Sequence, residues 1–140
     1  MPFFQPNELP RLMVAPNGAR KVKKDHPEVP LTIEETVEVA KNCFKAGAGA
    51  IHLHVRNEKG EHVLDAGLYK EALKELEFKV PKMHIQVTTE AVGKYSPEDM
   101  RKLAYDVTPP GTSIGIAEMI PSRNPTDEDI KLYKYLIEAG

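Results

Sequence analysis

The sequence predicts an α/β fold on a parallel sheet, with about four βα units amounting to half of a TIM-type (β/α)8 barrel. Three observations carry this. Segments with the two-residue period of strands alternate with segments of 3.6-residue helical period, in the order β, α, β, α, β, α, β, α. That alternation calls for parallel strands joined by right-handed crossovers. Finally, Lys45-Ala46-Gly47, which ends the first helix and leads into the second strand, is echoed by Glu138-Ala139-Gly140, where a fifth strand is expected to begin. Four units would also make a small open sheet, whereas a closed barrel needs about 250 residues.

Taken in order, Met1 to Pro10 shows no periodic pattern and reads as an arm, so that the half-barrel occupies 11–140. Arg11 to Ala15 is the first strand. A polar stretch through Pro16 to Pro30 follows, too long for a simple connector and therefore a candidate functional loop. Thr32 with Glu35 three residues on is a capping box, and the helix it opens carries Val37, Ala40, Phe44 and Ala48 on one stripe before Gly47 or Gly49 ends it. Ala50 to Arg56 is the second strand. Asp65 to Phe78 is a helix with Leu68, Ala72, Leu73 and Leu76 as its buried stripe, stopped by Pro81. Met83 to Thr89 is the third strand. Ser96-Pro97-Glu98-Asp99 supplies an N-cap, a proline at the first position and acids in the first turn of the third helix. Gly111 to Met119 reads as the fourth strand. Asn124 to Glu128 caps the last helix, whose face is Ile130, Tyr133, Leu136 and Ile137.

The chemistry centres on Ala50-Ile51-His52-Leu53-His54-Val55-Arg56. On a strand, His52 and His54 share a face with Cα atoms roughly 6.5 to 7 Å apart, so their imidazoles can lean onto one ion, while Ile51, Leu53 and Val55 pack behind. Neutral imidazole is a good ligand for zinc and its neighbours. Ligands in α/β folds bind at the carboxyl ends of parallel strands. There the topology gathers Asn17, Gly18 and Arg20 after the first strand, His52, His54 and Arg56 on the second, Thr88, Thr89 and Glu90 on the third, and Ser113 and Glu118 on the fourth. Arg56 is placed to hold an anion. Each residue also has a plain structural account: Arg56 pairing with Glu58 or Asp65, the threonines as strand formers, Glu118 as a solvated acid. A catalytic zinc takes three protein ligands and keeps an open position. Glu90, Glu118, His84 or a residue outside this chain would supply the third, while His26 and His62 lie in loops.

Composition narrows the alternatives. Of 140 residues, 41% are hydrophobic and 29% charged, and 19 basic against 21 acidic residues leave a net charge of −2 with no long run of either sign. Nothing here favours nucleic acid or an anionic membrane. No segment approaches the 18 or more apolar residues of a membrane span, and no signal peptide is visible. The single Cys43 excludes an internal disulfide and reads as a structural thiol inside a helix, which fits a cytoplasmic protein.

Met13-Val14-Ala15-Pro16-Asn17-Gly18-Ala19-Arg20, Asp25-His26-Pro27, Pro30-Leu31-Thr32, Ala46-Gly47-Ala48, Ile51 to Arg56, Leu64 to Tyr69 and Gln86 to Gly93 follow one another in an order and spacing similar to the β-keto acid cleavage enzyme family, which includes the 3-keto-5-aminohexanoate cleavage enzyme. The resemblance implies a zinc-dependent barrel in which a β-keto acid and acetyl-CoA exchange carbon, giving acetoacetate and a new acyl-CoA. His52 and His54 match the family's zinc histidines. Thr88 matches a hydroxyl that helps hold the keto acid group, and Ser113 aligns with a substrate-contacting hydroxyl on the fourth strand. Arg20 falls where some members carry a glutamate that recognises an amino group, which by charge implies a neutral or acidic tail. The family's third zinc ligand, an arginine and the aspartate associated with deprotonation come from later strands, so the general base is expected beyond residue 140. Activity then requires completion by a C-terminal half. Two other readings stay open from the residues: an inactive split or truncated half-barrel that oligomerises to cover its edges, and a different metallohydrolase using the histidine pair to activate water.

Overall fold

The computed structural model describes residues 10–139, so the arm expected over 1–10 lies almost wholly outside them. The elements are β1 (Met13–Val14), α1 (Ile33–Lys45), β2 (Ala50–Leu53), α2 (Ala66–Lys79), β3 (His84–Thr88), α3 (Pro97–Val107), β4 (Thr112–Ser113), α4 (Ile116–Met119) and α5 (Asp127–Ala139). The strands form one parallel sheet in the order β1-β2-β3-β4. Each crossover adds its strand on the same side of the last, without the reversal of order that marks a doubly wound sheet.

Local chemistry sets the helix starts. Thr32 accepts from Glu35 N–H, and the Glu35 carboxylate accepts from Thr32 N–H and from Leu31 N–H, a complete capping box. Asp65 caps α2 through Leu68 N–H, and Ser96 with Asp99 forms a second box at α3. The sheet presents its apolar face to the helices. Val14, Ile51, Leu53, Ile85 and Val87 pack against Val37, Ala40, Ala72, Leu73, Leu76 and Leu103. By alternation, the paired residues His52 and Gln86, and likewise Thr88 and Ser113, point from the opposite face, where the helix layer does not reach.

Several predicted boundaries are corrected. The first strand pairs only at Met13–Val14 rather than over Arg11 to Ala15, because it is an edge strand and Pro16 has no N–H to donate. The second leaves the ladder after Leu53, and Arg56 instead bridges antiparallel to His62. The stretch Gly111 to Met119 is a strand only at Thr112–Ser113. Its β-branched isoleucines mimic a strand, but the Gly115 carbonyl accepts from both Glu118 N–H and Met119 N–H, and the resulting turn buries Met119 with Ala91, Met100, Ala104 and Leu132. The expected face of the last helix is rotated: Asp129 and Leu132 are buried and Leu136 packs beside them, whereas Ile130 and Ile137 are exposed. The cause is polar. Asp129 accepts from Arg101 at 2.8 Å and from Thr126 N–H and O–H, which turns this stripe toward α3.

Candidate active site

Parallel pairing brings all four strand ends to one rim. His52 sits in β2, and its Nδ1 lies 2.7 Å from Gln86 Oε1 on β3, its partner in register. The His52 and His54 rings meet edge to face with centroids 4.9 Å apart, and His62 stands on the other side of His54 at 5.0 Å. His54 is only 2% exposed. Burial pushes its pKa down to about 3, helped by repulsion from His62, His52 and Arg56, so the ring is held neutral. Its Nδ1 has no hydrogen-bond partner among the described residues.

Glu90, just past β3, joins this row to the loop after β1. One carboxylate oxygen accepts from Arg20 at 3.2 Å and the other lies 3.9 Å from His54 Nε2, while its backbone carbonyl accepts from His62 Nε2 at 2.9 Å. The Arg20 side chain is 73% exposed, its guanidinium on the rim. The Thr88 and Ser113 hydroxyls, predicted separately, come together at 3.4 Å, and Thr88 Oγ1 also accepts from Glu90 N–H.

The remaining candidates serve the scaffold. Among the described residues Arg56 pairs with no acid: it donates to the carbonyls of Gly60, Asn17, Gly18 and Lys21 at 2.7–3.3 Å. This corrects the expected pairing with Glu58 or Asp65. Asn17 is buried and donates to the carbonyls of Pro30 and His54 at 3.2 Å each. Thr89 donates to the Ser113 carbonyl, tying β3 to β4. Glu118, predicted on a strand, lies in α4 and accepts from Ala91 N–H. Among the described residues, neither Glu90, Glu118 nor His84 forms a three-residue metal-holding group with the histidine pair. Glu90 is turned to Arg20, Glu118 is engaged by Ala91, and His84 opens β3 at its amino end. Among the described residues, no group of three or more His, Cys, Asp or Glu side chains is placed to hold a metal ion. His26 is exposed in its loop and accepts from Glu28 N–H.

Two residues of the site escape sequence reasoning. His62 is buried beside His54 although it follows a polar turn, because the turn Asn57–Glu61 folds it back onto Arg56. Gln86 is recognisable only once the β2–β3 register is known.

Comparison with known proteins places these residues in context. The family model described as beta-keto acid cleavage enzyme matches residues 11–136. The 3-keto-5-aminohexanoate cleavage enzymes of Fusobacterium nucleatum and Acetoanaerobium sticklandii are each 38% identical over 72 residues, 51% of this chain and 26% of theirs. The 3-oxoadipate:acetyl-CoA acetyltransferase of Cupriavidus necator is 35% identical over 78 residues, 56% of this chain and 28% of its own. The matched stretch thus spans little more than a quarter of these relatives' length.

Proposed function

Because the chain belongs to the beta-keto acid cleavage enzyme family, we propose that it supplies half of a barrel in which a β-keto acid and acetyl-CoA exchange carbon to give acetoacetate and a new acyl-CoA. The observation that supports this reading is the rim itself: two imidazoles in contact, two adjacent hydroxyls and one exposed guanidinium at neighbouring strand ends. The donor set suits a zinc ion. His54 is held neutral, the form that ligates, and its buried Nδ1 has no hydrogen-bond partner among the described residues. His52 and His54 would hold the ion, with the third ligand and the general base coming from beyond residue 140. When bound, the ion would supply a positive charge that polarises the keto group. Thr88 and Ser113 would hold the keto acid group by donating hydrogen bonds.

Arg20 chooses the tail. A guanidinium attracts a carboxylate and repels an ammonium, so an acidic tail is preferred over a neutral one and an amino tail is refused. Substrate would then compete with Glu90 for Arg20, and that competition sets how strongly the tail is held.

Elemental analysis of the purified chain beside a His52→Ala, His54→Ala double variant tests the metal: about one zinc per chain, absent from the variant, is expected. Acetoacetate release from acetyl-CoA and a 3-oxo dicarboxylic acid, assayed with the C-terminal half supplied as a second polypeptide, tests the reaction. Zinc in neither protein, with no acetoacetate formed by the completed barrel, would remove the proposal.

A further inference from the structure

We propose that Gln86 is a positioning residue that fixes the tautomer and the ring plane of His52. The two residues are register partners on adjacent parallel strands, so their side chains leave the sheet side by side on the face away from the helices. An amide carbonyl oxygen can only accept. At 2.7 Å from Gln86 Oε1, His52 Nδ1 must therefore carry the proton, which leaves the lone pair on Nε2. Without a partner, a neutral histidine favours the opposite arrangement, with the proton on Nε2. Gln86 thus reverses the ring's own preference.

The arrangement is selective. Among the described residues His54 has no equivalent partner on either side: its Nδ1 makes no hydrogen bond and its Nε2 approaches Glu90 at 3.9 Å. His52 is the ring of the pair whose tautomer is set from within the sheet, and Gln86 does this without adding charge to a row that already holds three imidazoles. Ligand histidines commonly use their second ring nitrogen in this way, and losing the partner typically costs about 10- to 100-fold in metal affinity. That consequence rests on the zinc reading above; the tautomer does not.

The test uses the whole chain, metal-free, with 15N-labelled histidine, at mildly alkaline pH. Long-range 1H–15N spectra should show His52 Nδ1 as the protonated nitrogen in the wild type and in Gln86→Glu, which keeps an acceptor. In Gln86→Met, of similar length but without one, the proton should move to Nε2. Zinc titrated against a chromophoric chelator should bind about 10- to 100-fold more weakly to Gln86→Met and within a few fold of wild type to Gln86→Glu. Circular dichroism checks that both variants fold. An Nε2–H tautomer in the wild type, or a Gln86→Met variant with the tautomer unmoved, would overturn the inference. So would equal loss of zinc from both folded variants. A wild type with the Nδ1–H tautomer that binds no zinc would uphold the role of Gln86 and refute the zinc reading alone.

Discussion

Two arginines near the rim, Arg56 and Arg20, came to opposite ends. Arg56 is a staple whose donors go to four backbone carbonyls. Removing it leaves the buried Asn17 carbonyl and three part-buried carbonyls without this donor, so Arg56→Met should lower stability by about 2 kcal/mol, read as a shift of the urea midpoint at unchanged slope. An unaltered midpoint would show that these bonds are replaced by water. Arg20 is the contrasting case, exposed and paired to Glu90. Arg20→Glu should lower kcat/KM of the completed enzyme for an acidic-tailed β-keto acid by roughly tenfold or more, since about 1.4 kcal/mol per tenfold is within reach of one reversed charge near a surface. A ratio of acidic to neutral substrate that does not move would take Arg20 out of recognition. The histidine pair was legible because a strand's period is fixed by the backbone. Neither Gln86 nor the burial of His62 was, since one depends on strand register and the other on a turn folding back over the chain.

At the level of elements, the helix starts were readable because a cap is local: Thr32 with Glu35, and Ser96 with Asp99, each satisfy their own first-turn N–H groups. Thr32→Ala should cost about 1 kcal/mol, measured by thermal or urea unfolding. Glu35 adds a pH dependence. Hydrogen bonds from Leu31 N–H and from Lys23, with a smaller contribution from Thr32, hold its carboxyl at about 2 instead of 4.5. A lowered carboxyl pKa stabilises the folded chain above the unfolded value, and the contribution fades as pH falls from about 4.5 toward 2. Gln in place of Glu35 should flatten that part of the acid unfolding curve, while parallel curves for the two proteins would dismiss the effect. The fourth strand was misread for the converse reason. Its isoleucines carry strand propensity, but burial of Met119 against α3 and α5 decides the backbone, and no local signal encodes that burial.

For the whole molecule, the alternating pattern was enough to foresee a parallel sheet, and strand order emerged only in three dimensions. Among the described residues the sheet ends at β1 and β4, each paired over two residues on one side alone, and Leu12 and Met13 lie exposed along the β1 edge. Open parallel edges invite further strands. The isolated chain should therefore self-associate with rising concentration in sedimentation velocity, and a Leu12→Lys, Met13→Lys variant should do so less; a wild type that stays monomeric throughout would mean the edges are already protected. The staple at Arg56 bears on descent as well as on stability. It grips the loop after β1 by the carbonyl oxygens of Asn17, Gly18 and Lys21, atoms that every residue type possesses. Arg20 lies inside that grip but contributes no side chain to it. The letter at position 20 can therefore change, and with it the charge presented at the rim, while the loop's path stays put at little cost in foldability.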